Sequence, residues 1–176
     1  RIDALQEQNN AYLKLTELQD AQRKANSILK QATQSILAEI EDAINEKMKE
    51  LNDFLFTEKR KAPLLKLNDY NSYRFETPHD TGTGTNYKGL LLYDLAMLEL
   101  TGLPAIAHDS LLLKNVGDSS IDGIIKIYDQ SEKQIFIAFD KHLSYTQDVA
   151  QIIEKNTVLT LSDNGGELYG RSWNKE

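Results

Sequence analysis

The chain has 176 residues, 40% of them apolar and 27% charged, an ordinary globular balance with material for one core and an extension. Its 27 acidic and 20 basic residues give a net charge of −7, which excludes a surface that is basic throughout and built to neutralise nucleic-acid phosphates, leaving room only for a local basic patch. The absence of cysteine excludes disulfides, thiolate metal sites and a cysteine nucleophile, and fits a cytoplasmic setting. The longest strongly apolar stretch, Leu90 to Leu100, is broken by Asp94 and Glu99 and is far shorter than the ~20 residues of a membrane span, so no membrane partner is expected. The chain opens Arg-Ile-Asp-Ala-Leu without an initiator Met, and the expectation is a piece excised from a longer protein.

From Arg1 to about Leu51 there is neither Gly nor Pro, and good helix formers dominate, which predicts one long helix. Ala11, Leu15, Leu18, Ala25, Leu29, Ala32, Ile36, Ile40 and Ala43 recur at steps of three and four, with Gln22 interrupting. That is a narrow seam for a partner helix. At ~1.5 Å per residue the helix would reach on the order of 75 Å, too long for its first half to pack on so small a body. The expected division is therefore a coiled-coil arm over 1–52 and a globular part over 53–176.

The globular part reads as α/β. Short strands are expected at Phe54 to Thr57, Leu64 to Leu67 and Tyr73 to Glu76, then a turn through Asp80-Thr-Gly-Thr-Gly-Thr-Asn86 and a helix from about Tyr87 to Leu100. A buried strand at Ala105 to Ala107 delivers His108-Asp109-Ser110. A helix over Ser119 to Tyr128, capped by Asp118 or Ser119, leads to a second buried strand from Gln134 to Phe139 that ends at Asp140. Thr146 to Glu154 is helical, and Thr157 to Leu161 and Glu167 to Tyr169 are expected to pair across Asp163-Asn-Gly-Gly166.

Two places can carry chemistry. The Thr81-Gly-Thr-Gly-Thr85 run precedes a helix, whose N-terminus offers unpaired N–H groups and a positive dipole end to phosphate. It lacks the Gly-Lys-Ser/Thr ending of a phosphate loop and the third glycine of a dinucleotide fingerprint, and the plainer alternative is a loop that merely starts a helix. His108-Asp109 and Asp140 end two apolar runs separated by one helix. Parallel neighbouring strands would bring them to the carboxyl edge of a sheet, where open α/β folds bind ligands. An acidic group there can hold Mg²⁺ or orient a water, and the alternative is that each Asp caps a turn. His79, His108 and His142 each lie within two residues of an Asp, so a His/Asp metal site using Asp109, His108, Asp140 and His142 is a further option.

The order of these parts resembles the C-terminal lobe of SMC-type ABC ATPase heads. Thr83-Gly84-Thr85 with Asn86 and Lys88 would match the signature turn, Leu103 to Asp109 the Walker B strand, and Gln134 to Asp140 the strand ending in the switch residue. Tyr87 to Met97, Pro104 to Ser110 and Gln134 to Lys141 are similar in wording to the YydD-type prokaryotic SMC-like proteins, whose C-terminal domain has no assigned function. The resemblance spans nearly the whole chain. It implies ATP and Mg²⁺ as cofactors of a complete head, a phosphate loop in an upstream N-terminal half, dimerisation through head and coiled coil, DNA as a further partner, and work in DNA repair or phage defence.

The departures are a Thr in place of the signature serine, Thr85 in place of its second glycine, and Asp140 in place of the switch histidine. If Asp109 matches the Walker B aspartate, Ser110 replaces the catalytic glutamate; if His108-Asp109 matches the acidic pair, Asp109 becomes the base and Asn115 falls near the dimer-facing loop. Either register puts Asp109 at the centre, as metal ligand or as catalytic group. The alternatives to an ATPase half are an inactive coiled-coil interaction module and a His/Asp metal-dependent phosphoesterase.

Overall fold

The computed structural model describes residues 2–56, 58, 60–139, 145–163 and 165–171. Helix α1 (Ile2–Leu55) runs unbroken for 54 residues, about 80 Å at ~1.5 Å per residue. Every side chain described between Ile2 and Ala32 is exposed. Burial begins only near Leu37 and follows Glu41, Ile44, Met48, Leu51 and Leu55, steps of four and three that lay one stripe on the globular body. Ile36 and Ile40 of the predicted seam remain exposed. They sit one residue, or ~100° of helix rotation, away from the docking stripe, so α1 carries two separate apolar faces. The helix also absorbs Phe54 and Leu55, which were expected in a strand, because Leu51 and Leu55, one turn apart, continue the docking stripe; Thr57 lies outside the described residues.

Strands β1 (Leu64–Asp69) and β2 (Ser72–Glu76) form an antiparallel hairpin whose Leu65 and Leu67 face inward. An exposed strand edge is a liability, and α1 covers this one with side chains. The Asn45 amide donates to Leu65 O and accepts from Leu65 N, both at 2.8 Å. Glu41 accepts from Leu67 N at 2.8 Å and from the Lys66 ammonium at 2.9 Å. The arm root thus acts as a substitute strand for β1.

Helix α2 (Thr83–Leu100) starts four residues earlier than expected: the Thr-Gly-Thr-Asn run is its first turn, with Gly82 as N-cap. Gly and Thr are weak helix formers, but a helix buried by tertiary packing does not depend on propensity at its ends. Its C-terminal carbonyls are satisfied by the Lys133 ammonium, which donates to Leu98 O and Thr101 O, and by the Thr101 hydroxyl, which donates to Met97 O.

Strand β3 (Ala105–His108) leads through α3 (Ser110–Lys114) and α4 (Asp118–Gln130) to β4 (Gln134–Ile137). The two strands are parallel neighbours, in register from Ala105 opposite Gln134 to His108 opposite Ile137, with Ala138 N donating to His108 O at 3.0 Å. The short α3 went unpredicted. α4 is capped by the Gly117 carbonyl rather than by a side chain, which leaves Asp118 in the first turn, where its charge suits the helix dipole. Helix α5 (Gln147–Asn156) packs Val149 against α4. The hairpin expected beyond it is not formed among the described residues. Ser162 N donates to Gly166 O, but Thr157 closes the end of α5 and Val158 to Leu161 is exposed and in no strand; a lone two-stranded hairpin with no apolar surface beneath it has little stability of its own.

Two apolar clusters hold the body together. Ile44, Met48 and Leu51 of α1, Leu65 of β1, Leu92, Leu95 and Ala96 of α2 and Ile127 of α4 make the first. Leu91 of α2 joins Leu113, Val116, Ile121, Ile124, Ile125 and Val149 in the second. The N-terminal turn of α2 abuts the α3–α4 connection so closely that a Cβ at Gly84 would fall 2.8 Å from the Asn115 carbonyl oxygen.

Two measurements follow from this packing. Alanine normally improves a helix by up to ~1 kcal/mol over glycine, but Gly84→Ala forces α2 from Asn115 and should cost about 1–3 kcal/mol in urea unfolding. Gly102→Ala, which meets nothing within 4 Å, should change stability little; equal midpoints for the two variants would contradict the contact. Secondly, the Leu67 N–H and then Lys66 hold Glu41 below its ordinary value of 4.5. A depressed carboxylate stabilises the fold above its unfolded pKa and loses that contribution as pH falls through the folded one. Unfolding midpoints should therefore drop below about pH 4.5 in the parent, and drop less steeply in Glu41→Gln.

Candidate functional site

The turn that opens α2 is organised by one carboxylate. Asp80 accepts from Gly82 N at 3.1 Å and from the Thr85 hydroxyl at 2.8 Å, and its own N–H donates to Thr77 O at 3.2 Å. The Gly82 N–H, then the Thr85 hydroxyl, hold Asp80 below the usual carboxylate range. A negative group beside a helix N-terminus is favoured by the dipole, so Asp80 takes part of the field that the sequence suggested for a phosphate. His79, just before it, sits in the left-handed region at φ 62°. An open groove of about 500 Å³ runs along Arg74 to Thr81 and reaches Asn86.

Thr83, Gly84, Thr85 and Asn86 lie together in that first helical turn. Glycine at 84 admits the Asn115 carbonyl, which gives it a packing reason independent of any ligand. Lys88, grouped with these residues from sequence, turns into the body instead. Its ammonium is buried, 3.4 Å from the Asn52 amide oxygen and 4.7 Å above the Phe56 ring, which the Arg60 guanidinium also covers at 4.4 Å. Burial first, then Arg60, pushes the Lys88 pKa down. The face of Phe56 and the negative end of α1 compensate in part for the lost hydration.

At the other end of α3, Asp109 is the N-cap residue and is exposed. Its side chain makes no capping bond and accepts from the Ser110 hydroxyl at 3.3 Å. Such a carboxylate has oxygen free for a hard cation. The turn and Asp109 stand at opposite ends of the five-residue α3, a separation on the order of 8 Å along that helix. A cavity of about 30 Å³, room for one water, lies beside them between Ser110, Leu113, Asp118, Phe139 and Tyr145.

His108 points the opposite way from Asp109, as alternation along a strand requires, and is buried. Its Nδ1 is 2.6 Å from the Tyr128 hydroxyl of α4 and its Nε2 3.1 Å from Asp94 of α2. With both ring nitrogens engaged, His108 is not available to share a metal with Asp109. No group of three His, Asp or Glu is placed to hold a metal among the described residues, and Asp140 and His142 lie outside them.

The sequence reading missed Asp94, Tyr128 and the Gly84–Asn115 contact. A lone Asp in the middle of the apolar run Leu90 to Leu98 was the visible sign of a polar neighbour, and the structure places Asp94 half-buried against the His108 ring.

No curated protein matches this chain. Among solved structures, an SMC ATPase studied for ATP-driven dimerization and DNA-stimulated activation is similar, with a TM-score of 0.54 over 75% of this chain and 84% of that one. At 14% identity the likeness is one of fold: a mixed α/β head with a long N-terminal helix. Residues 40–172, from the docked end of α1 to the C-terminal segment, match a family described as uncharacterised protein conserved in bacteria, DUF2326. The chain belongs to that family.

Proposed function

We propose that this chain is the C-terminal half of an SMC-like ABC ATPase of the YydD type, with residues 1–52 as coiled-coil arm and 53–176 as the C-terminal lobe of the head. The observation that carries the reading is the parallel β3–β4 pair with Asp109 at its carboxyl edge, held through α3 to the Thr83–Asn86 turn. A parallel sheet is normally covered on both faces, yet this one has two strands, its outer edges are unpaired among the described residues, and Phe136 is 53% exposed. Strands of an N-terminal half would complete it. No Gly-x-x-x-x-Gly-Lys-Ser/Thr occurs in the 176 residues, so the phosphate loop belongs to that half.

When bound, Mg²⁺–ATP supplies the phosphoryl-transfer chemistry. In this reading Asp109 holds the metal, which suits an exposed carboxylate oxygen. The first turn of α2 presents N–H groups without intrahelical acceptors and the Thr83 hydroxyl to a phosphate of the opposing head, beside an Asp80 that keeps Gly82 and Thr85. Lys88 anchors α2 to the arm rather than touching nucleotide. Ser110 cannot act as a strong base, so hydrolysis is slow. Dimerisation of two heads, pairing of the exposed α1 seam, and action on DNA in repair or phage defence in the cytoplasm complete the reading; the SMC ATPase of similar fold is itself DNA-stimulated and dimerises with ATP.

Ser110 also supports a second reading, an interaction module in which the head fold persists without catalysis. Joining this chain to its upstream half and measuring ATP turnover separates the two. The ATPase reading expects turnover that Asp109→Asn lowers more than about tenfold with the fold intact. No turnover in the unmutated protein would favour the module. Calorimetry on residues 1–176 alone should show no micromolar Mg²⁺–ATP binding, and such binding would overturn the half-head assignment.

A further inference from the structure

One buried polar group touches neither nucleotide nor metal in that reading. His108 is 3% exposed, yet it bonds side chains from two different helices: Tyr128 of α4 at 2.6 Å and Asp94 of α2 at 3.1 Å. The chemistry of the partners fixes the proton. A carboxylate only accepts, so Nε2 carries hydrogen and donates to Asp94. Burial and the Asp94 charge push the ionisation of Tyr128 well above its usual range, so its hydroxyl keeps its hydrogen and can bond Nδ1 as donor or as acceptor. The ring is then satisfied at both nitrogens.

The position of this ring matters. His108 is the last residue of β3, and Asp109 follows it directly. Asp94 lies on the same rigid helix as the Thr83–Asn86 turn. We propose that His108 is a positioning residue: through the Nε2–H that it gives to Asp94 it locks α2 to the exit of β3, so that movement of the turn and movement of Asp109 are one motion. This deepens the ATPase reading and rests on it for its purpose, since there the turn and Asp109 of one chain serve two different nucleotides. Hydrogen bonds to a buried ring favour a single arrangement because breaking either of them leaves a ring nitrogen unsatisfied away from water.

The test uses the full 176-residue chain and nuclear magnetic resonance. The nitrogen spectrum of His108 should show hydrogen held on Nε2, whatever Nδ1 carries; a bare Nε2 or a rapidly exchanging mixture overturns the proposal. Asp94 is 41% exposed at its side chain, so variants there should fold even if Tyr128→Phe does not. Asp94→Ala should move the amide signals of both Gly84–Thr85 and Asp109–Ser110, whereas Asp94→Asn, whose amide oxygen still accepts from Nε2, should restore them. Changes confined to the neighbours of Asp94, or equal in the two variants, would mean that the contact only fills space. In the joined protein, Asp94→Ala should lower kcat about tenfold and leave KM for ATP unchanged, and an unchanged kcat overturns the coupling. If the unmutated joined protein shows no turnover, the ATPase reading fails alone, and the spectra still decide the role of His108.

Discussion

Everything that could act in this molecule is placed by the burial of α2 from two sides. Leu92, Leu95 and Ala96 commit it to the arm root and β1, and Leu91 commits it to α3, α4 and α5. A helix gripped by two clusters can neither rotate nor slide without opening one of them, because interiors this dense tolerate little change of shape. Its first turn is consequently pressed against Asn115, and its last carbonyls are closed by Lys133. Site geometry in this protein is a by-product of core packing.

The arm is joined to that helix by polar as well as apolar means. Met48 and Leu51 bury the docking stripe, but the last turn of α1 also meets Lys88, Arg60 and Phe56, and Asn52 donates to the Arg60 carbonyl at 2.9 Å. α1 has no basic residue in its own last turn. Two cations borrowed from elsewhere in the chain supply the charge its negative end attracts. They repel each other, and the shared aromatic face is what lets both stay. Asn45 and Glu41 add directional bonds to β1, so the exit angle of an 80 Å rod is set by hydrogen bonds that fix register as well as by a greasy stripe that would not.

The sequence carried the long helix, the α2 run and the parallel strand pair, because each follows from periodicity or from a short apolar run between turn residues. It misplaced the start of α2, since Gly82 to Asn86 has turn composition and only tertiary packing makes it helical. It also assigned strands to Phe54 and to Thr157–Leu161. The first lost to a docking stripe one turn longer than the helix seemed, and the second has no surface beneath it. At the site, the turn residues and Asp109 were legible as types and spacings. The direction of Lys88 and the Asp94–His108–Tyr128 set were not, because pattern says which face of an element is buried but not which neighbour it meets.

The same physics that orders the body leaves parts of it unsatisfied. The α1 seam keeps Leu15, Leu18, Leu29, Ile36 and Ile40 in water; the two-stranded parallel sheet shows Phe136; Val158 and Leu159 stand exposed on an extended segment. Scattered apolar residues on a surface need no explanation, but these lie on a helix stripe, a sheet face and a strand-like run, the three kinds of surface that secondary structure normally hides. Each would be covered by a different element: another helix, further strands, a sheet edge. A compact body that satisfies Leu65 through Asn45 and α2 through Lys133 is not carelessly built, and its open surfaces therefore argue for association rather than for poor packing. Under the half-head reading one upstream half meets all three demands at once, which is why the functional assignment and the unfinished surfaces stand or fall together.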